Sequence, residues 1–305
     1  MAADFAKNNS ITSFCSANPL TQGRTIFRPG KNCDGYYTNA EILEQATKAM
    51  DILDHDYPNE RHVFAYDNAT THTARAPDAL SASKMPAKPS KTFYCDGNDS
   101  VRMRDGSFPD GSPQSFYFPN NHPDVELRGL FKGMKEIIRE RNEKDAGLPN
   151  PYAKKFLAQC KNFKCPVGRT DCCCRRVLYC QPDFVNQKSI LQEHCTARGY
   201  EVVYFPKFHC ELNFIEQCWG YAKRLYRLCP TSTKEDDLER NMLQSLDAVP
   251  LKSMRKFATR SNRFMDAYRK GLNGRKAAWA GKKYHGHRVL PENILEEFDQ
   301  AHPNA

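Results

Sequence analysis

Apolar residues at Ile42, Ala46, Ala49, Met50 and Leu53 recur at helical spacing behind Thr38 and Glu41, a capping-box pair, and the run stops before Pro58. A helix is predicted there. A short apolar run at 62–67 then reads as a strand that delivers Asp67 to its C-terminal lip. Far downstream the pattern repeats. A second apolar strand, 200–205, halts at Pro206, and a helix follows with Leu212, Ile215, Trp219 and Ala222 on one face and Glu216 in its first turns. Short strands are expected at 1–5 and 24–28. Further helices are expected at 125–143, with a stripe running from Leu127 to Ile138 despite Gly129 and Gly133, at 184–198 up to Gly199, and from Ser232, which makes a capping box with Glu235, toward Leu246.

Between these elements the composition shifts. Residues 85–123 contain 9 Pro or Gly in 39 positions, the signature of a loop-rich insertion. In all, 148 residues separate Asp67 from Glu216. The boundaries drawn from these shifts are a first core part (1–84), an insert (85–198), a second core part (199–229) and a basic helical region (230–305).

Composition narrows the partners. The chain has 305 residues, 40% hydrophobic and 27% charged, enough for one large globular domain or two ordinary ones. Its net charge of +9 suggests an anionic partner. No apolar run approaches the ~18 residues needed to span a bilayer, and the start lacks a signal-peptide pattern, so an intracellular protein with no membrane partner is expected. Thirteen cysteines in such a compartment read as thiols or metal ligands rather than a disulfide framework. Cys160, Cys165, Cys172, Cys173, Cys174, Cys180 and Cys195 cluster in sequence, with His194 nearby. Cys160, Cys165, Cys172 and Cys174 are the candidate structural Zn²⁺ ligands, because three adjacent cysteines cannot readily all face one ion. Small buried thiols are the competing reading.

Residues 252–288 hold twelve Lys or Arg against the single acidic Asp266, a local charge of +11 that exceeds the whole chain's +9. Arg255, Lys256, Arg260, Arg263, Arg269, Lys270, Arg275 and Lys276 are the candidate DNA contacts; the alternative is a solvated amphipathic helix packing Phe257, Phe264 and Tyr268.

Alone, Asp67 reads as a turn residue and Glu216 as a solvated helical one. Their contexts change that. The blocks Tyr66-Asp67-Asn68-Ala69-Thr70-Thr71-His72 and Leu212-Asn213-Phe214-Ile215-Glu216-Gln217-Cys218-Trp219-Gly220-Tyr221-Ala222-Lys223 resemble those of mariner-like DDE transposases, Asp-Asn-Ala-x-x-His and Leu-Asn-Pro-Ile-Glu-x-x-Trp-x-x-x-Lys. Phe214 stands where proline is usual. To about Leu290 the chain is similar to the larger DDE superfamily endonuclease proteins of eukaryotic transposons, which carry a long Cys-bearing insert.

The resemblance implies an RNase-H-like α/β fold, a mixed sheet flanked by helices, and a nuclear protein that cleaves and joins DNA. It further implies Mg²⁺ (or Mn²⁺) held by Asp67 and Glu216, with self-association as an open expectation. Two such ions would activate the nucleophile and steady the leaving oxygen. His72 would orient a ligand, meet DNA or stabilise a turn. The family places three strands before the first helix, with another acidic ligand on the first of them, and this chain reads as one strand short. Asp4 then lies on the neighbouring strand and is not the expected substitute. A truncated start and weak or absent catalysis follow as expectations. The alternatives are a non-catalytic DNA-binding remnant using the basic tail, and a zinc-stabilised interaction protein.

Overall fold

A computed structural model of the chain describes residues 25–95, 101–145, 147–285, 287 and 289–302. The expected strand at 1–5 and Asp4 lie outside them, and residues 25–28, the described part of the other early strand, form no strand. The architecture is mixed, many helices with small sheets. The chain divides into two compact units, one built from residues up to Thr73 together with those from Leu191 onward, the other Ala74–Ile190.

In the first unit the capping box closes as its sequence dictates. Thr38 Oγ1 accepts from Ala40 N, and Glu41 returns to the Thr38 backbone N–H at 2.6 Å, starting α1 (Asn39–Asp56). The apolar face of α1 packs on a two-stranded parallel sheet, β1 (Val63–Tyr66) against a later strand β4 (Glu201–Tyr204), with Tyr66 opposite Tyr204. Ala46, Met50, Phe64, Tyr66, Leu191 and Cys195 make this core. Burial alternates along β1, because successive side chains leave a strand on opposite faces.

The second unit opposes a two-residue hairpin, β2 (Gly106–Ser107) and β3 (Pro113–Gln114), to α2 (Met134–Lys144), α3 (Cys174–Tyr179) and α4 (Pro182–Val185). The helix expected at 125–143 is corrected here: a single 3₁₀ turn at Val125–Leu127 is followed by an extended stretch in which Phe131 bridges Ser90 and Tyr117, and α2 begins only at Met134. The glycines are the cause. Gly129 and Gly133 sit at φ +70° and +83°, and a Cβ on Gly133 would meet the Lys88 backbone at 2.5 Å. The helix expected at 184–198 is likewise two, α4 and α5 (Ile190–Ala197), the latter closing the first unit's core.

At the centre of the second unit Arg141 is 1% exposed and makes a two-pronged ion pair with Asp183, at 2.7 and 3.1 Å, while its Nε donates to Gln114 at 2.8 Å. Asp183 also accepts from Ser107 N at 3.0 Å. Removing one partner strands a buried charge, so Arg141→Ala is expected to destabilise this unit by about 3–5 kcal/mol in urea unfolding. An unchanged midpoint would contradict that.

The remaining helices, α6 (Phe214–Tyr226), α7 (Glu235–Asp247), α8 (Leu251–Arg269), α9 (Gly274–Lys283) and α10 (Ile294–Ala301), belong to the first unit, where α8 packs on α6 and α9. The Ser232–Glu235 capping box does not form. Ser232 Oγ donates to Asp237 instead, and α7 starts at Glu235.

Candidate functional site

β1 and β4 run parallel, so the chain leaves both at the same end of the sheet. Asp67 comes off β1 into a tight turn. Its Oδ1 accepts from Ala69 N at 3.1 Å and from His72 Nδ1 at 2.5 Å. Since a carboxylate can only accept, Nδ1 of His72 is the donor. His72 itself is 5% exposed, its ring lies against Tyr66, and its carbonyl accepts from Tyr204 Oη at 2.7 Å. One Asp67 oxygen is thereby pinned by a buried histidine. Asn68 Nδ2 donates to Phe205 O, tying this turn to the end of β4.

From β4 the chain passes Pro206 and a 3₁₀ turn, Cys210–Leu212, into α6. Leu212, Asn213 and Ile215 are buried, which fixes the helix start and leaves Glu216, in its first turn, exposed. The unpaired N–H groups and dipole of a helix start favour a negative charge there. Asp67 and Glu216, with 148 residues between them in sequence, line one cavity of about 510 Å³ together with Asn68, Phe205–Cys210 and Asn213. Trp219, on the same helix, is half-buried and lines a separate apolar cavity of about 500 Å³ beside Tyr66 and Met242.

The cysteines converge in the second unit. The Sγ atoms of Cys160, Cys165, Cys172 and Cys173 all lie within 4.8 Å of one another, an arrangement that could hold a metal ion. The set differs from the expected one by a single step, Cys173 replacing Cys174. Cys173 is extended (φ −163°, ψ 163°) and precedes α3, whereas Cys174 is its first residue and is fully buried in the apolar core with Val177 and Leu178. Burial pushes the Cys173 thiol up, but the backbone N–H groups of Arg176 and Cys160 outweigh it and hold the thiol below its ordinary value, without closing a side-chain helix cap. Cys160, hydrogen-bonded by Cys172, is pushed up to about 12. Between Cys160 and Cys165 the chain doubles back through Asn162 and Phe163 at φ +55° and +60°, a conformation costly for a non-glycine residue. His194 takes no part. It is in the other unit, where its Nε2 meets Thr47 Oγ1 at 2.7 Å, and Cys195 is core.

The eight candidate DNA contacts separate by environment. Arg255, Lys256 and Arg260 are exposed and line a groove of about 980 Å³ with Lys252, Lys282 and His285, while Arg269 and Arg275 are exposed outside it. The other three are engaged within the protein. Arg263, 6% exposed, donates to the carbonyls of His287 and Gly281 at 2.7 and 2.8 Å and also borders the groove. Lys270 binds Leu290 O and Glu292, and Lys276 binds Asp299 at 3.0 Å. A count of cations cannot tell which of them are consumed in joining helices. Lys252, Lys282 and His285, which line the same groove, were not among the expected contacts although all three fall within the same basic run.

Comparison with protein-family models, curated proteins and solved structures finds no match to this chain.

Proposed function

We propose that this chain is the core of a DDE-type endonuclease, in which Asp67 and Glu216 hold Mg²⁺ or Mn²⁺ and the hydrated ion promotes cleavage of a DNA phosphodiester. What carries the reading is that two carboxylates so distant in sequence line one cavity at the C-terminal ends of two adjacent parallel strands, where open α/β sheets put their chemistry. The parallel pair backed by α1 and α5 supports an RNase-H-like core. His72 holds the aspartate in the orientation a ligand needs, as outer partners do for metal ligands. A bound metal would polarise the phosphate and neutralise charge on the attacking and leaving oxygens.

Substrate would lie along the groove of Arg255, Lys256 and Arg260. That groove also takes in Gln217, the residue after Glu216 on α6, which brings it next to the helix that carries one of the two carboxylates. DNA and a nuclear location follow from the reading. The four thiolates of the second unit hold structural Zn²⁺, whose tetrahedral geometry needs sulfurs about 3.8 Å apart, within the 4.8 Å that bounds this cluster.

The test is nicking of supercoiled DNA with Mg²⁺ or Mn²⁺, present in the wild type and lost in Asp67→Asn and Glu216→Gln. Equal nicking by all three would remove these residues from the mechanism. A second measurement isolates the groove. The triple variant Arg255→Ala, Lys256→Ala, Arg260→Ala is expected to weaken DNA retention for every sequence tested and to flatten its salt dependence, the logarithmic slope losing about 0.9 per phosphate contact removed. Retention with the wild-type slope would exclude the groove.

A further inference from the structure

Among the described residues the cavity that holds Asp67 and Glu216 contains no third carboxylate, but it does contain His209. This imidazole is held on two sides. Its Nδ1 meets Glu211 Oε1 at 2.7 Å, and its ring stands edge-on to Tyr268 with centroids 5.0 Å apart. Tyr268 Oη donates to the same Glu211 oxygen at 2.6 Å, and Ser261, also on α8, donates to the Glu211 carbonyl at 2.9 Å. Burial pushes the Glu211 carboxyl up, yet the hydrogen bonds from Tyr268 and His209 outweigh it and keep the group below its ordinary value, so it accepts as a carboxylate. Glu211 therefore claims Nδ1–H and leaves Nε2 as the ring nitrogen available to a ligand. The chain approaches this histidine through Phe208 at φ +65°, a strained conformation for a bulky residue, at the cavity lip.

We propose that His209 is the proton donor for the leaving oxygen in the cavity, positioned by Glu211 and Tyr268. This rests on the endonuclease reading. In the step, a water oxygen forms the new bond to phosphorus while the bond from phosphorus to the leaving sugar oxygen breaks. The water proton goes to solvent, the Nε2 proton of the imidazolium goes to the departing oxygen, and the imidazole regains a proton from solvent. The charged and titratable groups around the ring are Glu211 beside it, Tyr268 across from it on α8, its chain neighbours Lys207 and Cys210, and Asp67 and Glu216 on the cavity wall. Glu211 and Tyr268 together fix the ring's place and tautomer, with Nδ1 engaged and Nε2 left for the departing oxygen.

The experiment compares two oligonucleotide duplexes, one ordinary and one with sulfur replacing the leaving oxygen, since a thiolate departs without a proton. His209→Asn keeps a side-chain amide able to donate to Glu211 but has no counterpart of Nε2. It is expected to cleave the ordinary duplex about a hundredfold more slowly or worse, as loss of a positioned acid does, and to cleave the sulfur duplex near the wild-type rate. Glu211→Gln and Tyr268→Phe are expected to lose less, with the same relief by sulfur. If His209→Asn is slowed equally on both duplexes, or on neither, His209 is not the donor although the endonuclease reading stands. If the wild type cleaves neither duplex, the endonuclease reading falls and this role with it.

Discussion

Asp67→Asn and Glu216→Gln are each expected to slow metal-dependent nicking about a thousandfold. The size follows from what a bound cation supplies, several kcal/mol of charge stabilisation at the attacking and leaving oxygens, and from about 1.4 kcal/mol for each factor of ten in rate. Both substitutions keep the shape of the side chain and remove its charge. They are expected to leave folding intact, because Glu216 is exposed and Asp67 Oδ1 keeps its hydrogen bond from Ala69 N when only the charge is lost. DNA retention should be unchanged, since the groove cations lie on α8 and α9. His72→Ala makes a useful contrast. It keeps both carboxylates and frees the pinned oxygen, so the metal requirement should rise by about ten- to a hundredfold, the usual cost of losing an outer partner. Plasmid nicking titrated with Mg²⁺ and Mn²⁺ reads all of this. A wild-type rate in either carboxylate variant would end the metal-site reading.

Purified under reducing conditions, the protein should carry one zinc per chain, and Cys173→Ser should lose it while Cys174→Ala keeps it. The two residues are neighbours and differ only in direction. Cys173 shares the sulfur cluster, and Cys174 points into the core. Stripping the ion with a chelator should loosen the segment around 160–173 and lower the melting temperature of the second unit. Structural zinc in small peptides contributes on the order of 10–16 kcal/mol, and this segment has little else to hold it: Phe163 and Val167 are exposed, and Asn162 and Phe163 are strained. Metal analysis, thiol titration before and after chelation, and the melting curve measure the effect. Protein without zinc whose four thiols titrate freely would sink the assignment, as would zinc that depends on Cys174.

α1, β1, β4 and α6 were readable because each rests on local chemistry: the Thr38–Glu41 box, short apolar runs ending in polar or proline residues, and one apolar helical face. The candidate carboxylates were readable for a related reason, since a strand end and a helix start each fix a side chain within a few residues. The helices over 125–143 and 184–198 were drawn too long. Their apolar stripes persist, but Gly133 is claimed by a close backbone approach from Lys88, a contact 45 positions away in the chain, and no local signal carries that information. The same holds for Cys173 against Cys174, for Arg263 and Lys270 against Arg255 and Arg260, and for His209, whose partner Tyr268 is 59 residues downstream. Periodicity along a chain determines which residues share a face. Which side chains face one another across a cavity is decided by long-range packing, so the elements and their acidic ends belong to the sequence, whereas the cavity, the fourth sulfur and the grouping of the groove cations belong to the tertiary structure.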